Sequence, residues 1–176
     1  MGATVALRNA GGIFCAGVWV GPVQVLTANH CVEDEESKVI TVEDRAGHMF
    51  PMGVIKTDPR VDLALLSAPF APDHATASLA VSWSVGEALT IVGHPSHTPW
   101  VVMQGSIAHE QNHLGPAGEE MRMLWVQAPI WYGNSGGGAF DAAGHLVGIC
   151  SMRNQVIPDQ AWFVSPEEIH GFLAQR

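Results

Sequence analysis

A glycine-rich segment with one serine, Gly133-Asn134-Ser135-Gly136-Gly137, is the strongest chemical signal in the sequence. A serine hydroxyl becomes a nucleophile when a nearby base removes its proton. Backbone N–H groups can then hold the oxyanion that develops, and we expect those of Gly133 and Ser135 to do so. Because glycine-rich hairpin turns without chemistry are also common, this segment alone does not decide between the two interpretations.

A histidine that could act as the base follows the apolar run Val25-Leu26-Thr27-Ala28-Asn29. His30 can accept a proton near neutral pH if another group orients its ring. Asp62 is the candidate for that group, because it directly precedes an apolar run in which a carboxylate needs a hydrogen-bond partner. Asp58 stands before Pro59 and fits a turn better.

The three candidates occur in the order His30, Asp62, Ser135, which is the order of one known type of catalytic triad. In that arrangement the serine attacks a carbonyl, the histidine transfers the proton, and the aspartate orients the histidine. Three weak signals in this order are stronger than any one of them. The sequence therefore predicts acyl transfer to water, which needs no metal and no organic cofactor.

Two other histidine clusters could suggest a metal site. The segment 109–113 matches H-E-x-x-H, in which a helix presents two histidines to zinc. A zinc hydrolase using His109, Glu110 and His113 is therefore the alternative from another catalytic class. Because Gly115-Pro116 follows at once, we expect a surface loop here and no metal ligand. We interpret His94-Pro95-Ser96-His97 as a turn with two solvated histidines.

The elements that must position these residues are short and β-rich. Runs such as 14–20, 63–67 and 146–150 are bounded by turn-forming residues, which predicts an all-β barrel or sandwich. One helix is predicted at the end of the chain, with Ser165 as its N-cap and Pro166 at its first position.

Composition excludes several classes of protein. The 176 residues are 47% hydrophobic and 14% charged, which indicates one folded unit. The formal charge of −9 disfavours nucleic acid and anionic membranes as partners, and the run 33–36 is interpreted as a solvated acidic loop. No apolar run approaches the ~20 residues of a membrane span, and the first residues do not fit a signal peptide.

Several segments resemble trypsin- and chymotrypsin-like serine proteases, including the HtrA-type bacterial branch. Residues 14–17 are similar to the family's F-C-G-G, and residues 26–31 to its L-T-A-A-H-C. Residues 58–65 resemble the HtrA-type D-P-x-x-D-[IL]-A-L, and residues 133–137 match its G-N-S-G-G. The resemblance extends from about Val5 to Leu173. Asn134 departs from the aspartate usual in trypsins, so activation of the trypsin zymogen type is not expected.

The resemblance implies an all-β fold of two perpendicular six-stranded antiparallel β-barrels with a short C-terminal helix. Residues 1–176 would form a single protease domain. Its parts would be an N-terminal barrel (1–70) with His30 and Asp62, a connection (71–84), a C-terminal barrel (85–164) with Ser135, and the helix (165–176). The implied activity is that of a serine endopeptidase on polypeptide substrates, as a monomer or weak oligomer. A non-catalytic peptide-binding module on the same fold is the other alternative.

The resemblance also implies a disulfide between Cys15 and Cys31, beside His30. A disulfide favours an extracytoplasmic or secreted protein, although no signal peptide is recognised. Two buried thiols in a cytosolic protein are the alternative. Cys150 is interpreted as a small core residue and not a nucleophile.

The walls of the primary specificity pocket follow from the resemblance as well. The first wall, residues 125–132, holds no acidic residue, and Pro129 stands where trypsins have an aspartate. An apolar or small residue before the scissile bond is therefore expected. Arg153 could instead favour an acidic residue, or it could point to solvent. Ser151 would begin the edge strand that pairs with the substrate backbone. The predicted substrate-binding residues are Pro129, Trp131, Tyr132, Cys150, Ser151, Met152 and Arg153.

Overall fold

A computed structural model describes residues 2–34, 39–71, 73–114, 118–157 and 159–175. Six strands of its N-terminal part form a closed antiparallel barrel in the order β1-β2-β3-β6-β5-β4. Apolar side chains alternate inward along these strands; in β4, Ile40 and Val42 are buried while Val39 and Thr41 are exposed. The strands are β1 (Thr4–Asn9), β2 (Gly12–Gly21), β3 (Gln24–Thr27), β4 (Val39–Glu43), β5 (Met49–Asp58) and β6 (Leu63–Ser67).

The C-terminal part repeats this topology in a second closed barrel, in the order β7-β8-β9-β12-β11-β10. Its hairpin β8–β9 is the longest, because β8 continues for 14 residues. The expected pair of six-stranded antiparallel barrels is therefore confirmed. The strands are β7 (Ala88–Gly93), β8 (Val101–Leu114), β9 (Glu120–Gln127), β10 (Gly138–Phe140), β11 (Leu146–Arg153) and β12 (Gln160–Val164).

Two apolar clusters hold the barrels together. The first fills the N-terminal barrel around the buried Trp19 and extends into the second barrel and the terminal helix through residues such as Ile149 and Phe172. The second cluster fills the C-terminal barrel around Phe163 and Ile91. Because the first cluster crosses between the barrels, it also fixes their relative position.

The terminal helix α1 (Pro166–Ala174) begins as the sequence predicts. The Ser165 side chain accepts a hydrogen bond from the backbone N–H of Glu168, and Pro166 occupies the first turn. Ile169 and Phe172 are buried against the first cluster. No helix in the described part of the chain is long and apolar enough to cross a membrane.

One expectation about secondary structure is corrected, and two others fall outside the described residues. The segment 109–113 is not a surface loop, because it lies within β8. In the acidic run 33–36, Glu35 and Glu36 lie outside the described residues, as does the turn expected at Gly115-Pro116.

The disulfide between Cys15 and Cys31 is present, as expected. It joins β2 to the short 3-10 turn Asn29–Cys31, and the Cα atoms are 6.2 Å apart, within the usual range for a bridge. The bond therefore ties the segment that carries His30 to the neighbouring strand.

Removing this bridge should destabilise the domain. For a loop of this length, we expect the C15A/C31A double variant to lose about 3 kcal/mol of unfolding free energy, since its unfolded chain is less constrained. Urea denaturation followed by tryptophan fluorescence measures this loss. A reducing agent should lower the stability of the wild type but not that of the variant; equal stability of the two proteins under oxidising conditions would contradict the prediction.

Candidate active site

His30 and Asp62, which are 32 residues apart in the sequence, form a hydrogen-bonded pair. His30 Nδ1 lies 2.9 Å from Asp62 Oδ2 and 3.1 Å from Oδ1, and the backbone N–H of His30 donates to Oδ1 at 3.0 Å. The aspartate is 5% exposed, whereas the histidine side chain keeps 39% of its surface open. The carboxylate thus fixes the ring orientation and leaves Nε2 available to a neighbour.

A third donor to the same carboxylate comes from the other barrel. Ser151 Oγ on β11 donates to Asp62 Oδ2 at 2.5 Å, and both side chains are buried. Asp62 is therefore held by both barrels. The sequence indicated only substrate pairing for Ser151 and not this bond, because no local pattern links residues 89 positions apart.

The backbone around Asp62 shows why this aspartate and not Asp58 faces His30. Asp62 ends the turn after β5 with a φ of 52°, and its carbonyl accepts a hydrogen bond from the N–H of Asn29. Asp58 instead pairs with the Arg60 side chain at 2.7 Å, as its position before proline suggested. That local pair closes the turn that presents Asp62.

Two other histidine–aspartate pairs provide an internal comparison. His48 binds Asp44 at 2.8 Å and His145 binds Asp141 at 2.9 Å, each four residues away in an exposed turn of sequence D-x-A-G-H. The two turns occupy equivalent positions, between the fourth and fifth strands of each barrel. A short histidine–aspartate distance is thus not distinctive by itself; what distinguishes His30 is its long-range partner and its cavity.

The surroundings of His30 stabilise its charged form. Burial alone would lower the pKa of the ring, but the hydrogen bond and negative charge of Asp62, with a smaller contribution from Glu33, raise the pKa above 6.5. The imidazolium is thus stabilised relative to a solvated histidine. A proton taken up by Nε2 would be held beside a buried carboxylate.

The turn that carries Ser135 is attached to the N-terminal barrel. The Ser135 carbonyl accepts a hydrogen bond from Ala16 N–H on β2 at 2.8 Å. Gly136 has a φ of 77°, and a Cβ there would lie 2.1 Å from Thr27 Oγ1 and 2.2 Å from the Ala16 carbonyl oxygen. Only glycine allows this approach, which brings the serine of one barrel to the histidine of the other.

The preceding turn orients a free N–H group. Asn134 N–H donates to the Trp131 carbonyl, and Gly133 at the third position has a φ of 94°, the signature of a type II turn. The Tyr132 carbonyl accepts from Ser96 N–H at 2.8 Å. Since a trans peptide directs its carbonyl and N–H to opposite sides, the Gly133 N–H points away from Ser96.

The N–H groups of Gly133 and Ser135 have no hydrogen-bond acceptor within the described ranges. Both residues line the same cavity. Two neighbouring unpaired donors in a polar turn are suited to hold a negative oxygen.

Two histidines were expected to be solvated in the loop 94–100, which supports this turn; His97 is exposed, but His94 is not. His94 is fully buried, and its Nε2 lies 3.1 Å from the Val5 carbonyl while its Nδ1 accepts from Trp100 N–H. Since Nε2 donates and Nδ1 accepts, the ring is neutral, and burial lowers its pKa. The His94 carbonyl packs against Gly133, where a Cβ would come within 2.2 Å.

A cavity of about 330 Å³ joins these groups. His30 and Ser135 both line it, although no hydrogen bond connects their side chains among the described residues. Of the predicted substrate-binding residues, Pro129 lies outside it, in a second cavity of about 410 Å³; Ile130 takes its place as a lining residue. The other predicted residues all line the first cavity: Trp131, Tyr132, Cys150, Ser151, Met152 and Arg153.

Comparison with known proteins agrees with this architecture. Residues 15–149 match the family model of the trypsin-like peptidase domain. The chain belongs to this family. A probable periplasmic serine endoprotease, DegP-like, from Brucella suis is 32% identical over 129 residues, which is 71% of this chain and 24% of that relative. The chain thus spans about a quarter of the relative's length.

Solved structures share the fold of this trypsin-like peptidase domain. The active form of the Rv3671c protease from M. tuberculosis superimposes with a TM-score of 0.86 at 21% identity and covers 98% of this chain and 79% of the other. The HtrA-type protease AlgW with a decapeptide gives a TM-score of 0.80 at 24% identity, covering 89% of this chain and 48% of the other. At these identities the likeness concerns the fold.

Two alternative sites in this peptidase domain are less suited to chemistry. Burial raises the pKa of the Cys150 thiol to about 12, so a nucleophilic thiolate is disfavoured at neutral pH. The H-E-x-x-H segment is a strand, in which residues four apart are separated by ~13 Å, too far for one zinc ion. Its histidine rings instead contact Trp125 and Trp162.

The contact with Asp62 should be visible in the titration of His30. We expect an NMR titration midpoint above 6.5 in the wild type and a lower one in D62N, since burial continues to disfavour the cation while the carboxylate's stabilisation is lost. D44N is the matched control: it removes the same charge from a local pair and should leave the His30 midpoint unchanged. An unchanged midpoint in D62N would show that Asp62 does not stabilise the ring.

Proposed function

We propose that this chain is a serine endopeptidase that hydrolyses peptide bonds through an acyl-enzyme, with His30, Asp62 and Ser135 as its catalytic triad. The observation that carries the proposal is the buried His30–Asp62 pair, whose ring shares one cavity with Ser135. Membership of the trypsin-like peptidase domain family supports it.

In the proposed reaction, Ser135 Oγ attacks the scissile carbonyl carbon while His30 Nε2 removes the hydroxyl proton. The imidazolium forms beside the Asp62 carboxylate and then gives its proton to the leaving amine. Water repeats the sequence on the acyl-enzyme and releases the product. Because the base must be neutral, the raised pKa of His30 predicts that activity falls as the pH decreases through that pKa.

The Gly133 and Ser135 N–H groups would stabilise the oxyanion of each tetrahedral intermediate. Their lack of other acceptors in the described part of the chain supports this role. Donors fixed in advance need no reorganisation during the reaction. Removing one such donor typically raises the activation free energy by roughly 3–4 kcal/mol. The bond between Ser96 and Tyr132 would keep the Gly133 donor in place.

The proposed preference is for an apolar or small side chain before the scissile bond. Ile130 and Cys150, both buried, contribute apolar surface to the cavity, and none of the described residues that line it is acidic. A lysine or arginine side chain would therefore lose its hydration without gaining a counter-charge.

The proposed setting is an extracytoplasmic compartment, acting on polypeptide substrates. The Cys15–Cys31 bridge is typical of oxidising environments. The Brucella suis relative carries the name of a periplasmic endoprotease, and the AlgW structure contains a decapeptide. Both likenesses favour this setting and this class of substrate.

A covalent probe tests the proposal. A fluorophosphonate should label the wild type, whereas S135A should show no labelling and a fall in peptide hydrolysis of roughly 10⁴-fold or more, because the nucleophile is missing. H30A should react far more slowly, and chelators should have no effect.

S82A is the matched control, since it removes the hydroxyl of an exposed serine in the connection between the barrels and should retain full labelling. Circular dichroism establishes that S135A is folded. Labelling that persists in S135A, or that is abolished by a chelator in the wild type, would contradict the triad assignment.

A further inference from the structure

Arg153, the last residue of β11, lies on the wall of the cavity that His30 and Ser135 share, here called the active cavity. No carboxylate in the described part of the chain forms an ion pair with it. Its guanidinium lies over the Tyr132 ring at 4.6 Å and the Trp131 ring at 5.5 Å. Its Nε is buried and has no hydrogen-bond acceptor among the described residues. Two aromatic rings thus hold the side chain in place, while its Nε–H donor has no acceptor in the described structure.

The other cations of the described chain have different surroundings. Arg8, Arg60 and Arg122 pair with carboxylates, and Lys56 donates to the carbonyls of Phe172 and Gln175. Arg45 lies exposed in a turn. In a protein of net charge −9, Arg153 alone among the described cations is held partly buried without an acceptor.

Arg153 also stands between two cavities. It lines both the active cavity and the second one, together with Ile130, Trp131 and Gln155. Asp159 lines the second cavity, yet no ion pair joins it to Arg153 in the described structure. A carboxylate entering from the substrate would therefore meet an unneutralised guanidinium, whose planar fork suits a carboxylate.

The edge of β11 determines which part of a substrate would reach this group. β10 pairs with one edge of β11 only as far as Ile149. On this edge, residues 151–153 therefore have no partner strand in the part of the chain described. Ser151 binds Asp62 and so lies beside the His30–Asp62 pair, which makes the peptide residue at its level the first one before the scissile bond. In an extended peptide added there, the residue two positions earlier would lie at the level of Arg153.

We infer that Arg153 is a specificity-determining residue that binds a carboxylate side chain at the third substrate residue before the scissile bond. This inference rests on the proposed endopeptidase function and adds to its apolar preference at the first residue. The aromatic rings hold the guanidinium ready, so little side-chain freedom is lost when substrate binds. The substrate class is a peptide with Glu or Asp two residues before an apolar or small residue.

The test uses matched fluorogenic peptides that differ only by Glu or Gln at this third position. We expect wild-type kcat/KM to be about tenfold higher for the Glu peptide, with the preference reduced in high salt. In R153Q the ratio of kcat/KM for the Glu peptide to kcat/KM for the Gln peptide should fall to about one, whatever its overall rate; R153K should keep part of the preference. R153E should prefer Lys at this position. R45Q removes the same charge elsewhere and should behave as the wild type.

Active-site titration with the fluorophosphonate normalises every rate to folded, labelled enzyme. Equal kcat/KM for the Glu and Gln peptides in a wild type that cleaves both would overturn the inference and leave the endopeptidase function intact. So would a preference that persists in R153Q, or an acidic preference that falls only on the first residue. Absence of both labelling and cleavage in the wild type would instead refute the proposed function itself.

Discussion

The hydrogen bonds to the Asp62 carboxylate are the constraint on which the active cavity depends. A buried carboxylate is costly unless it is fully hydrogen-bonded, and here the donors are the His30 backbone and ring and the Ser151 hydroxyl. Two of these donors belong to the first barrel and the third to the second. The same interactions that offset the burial of the charge therefore fix the imidazole and align the barrels across the cleft.

The serine reaches that cleft through a second set of inter-barrel contacts. Ala16 on β2 binds the Ser135 carbonyl, and Gly136 fits against Thr27 only because it has no side chain. Loop 94–100 supports the turn from the opposite side, where the buried neutral His94 binds two backbone groups and Ser96 orients the Tyr132 carbonyl. Histidine and serine thus come from separate barrels but are positioned by contacts between them.

Local signals in the sequence predicted residues that begin or end helices, strands and turns. The features that the sequence did not predict lack such local signals, and several of them depend on long-range contacts. The Ser165 cap, the Asp58 turn and the glycine-rich serine turn are local and were predicted. Strand β5 was not recognised, because Pro51 and Gly53 interrupt its pattern. The second half of β8 was taken for a loop, since its polar residues show no apolar alternation. The burial of His94 and the bond from Ser151 depend on partners 89 residues away, which no local pattern reveals.

We propose that Asp62, His30 and Ser135 act together around one oxyanion site. A crystal structure of the fluorophosphonate adduct would test this arrangement. We expect a bond from phosphorus to Ser135 Oγ and a phosphonyl oxygen within roughly 3 Å of the Gly133 and Ser135 nitrogens, with the His30–Asp62 pair intact. A phosphonyl oxygen directed away from both nitrogens, or a His30 ring turned away from the adduct, would contradict it.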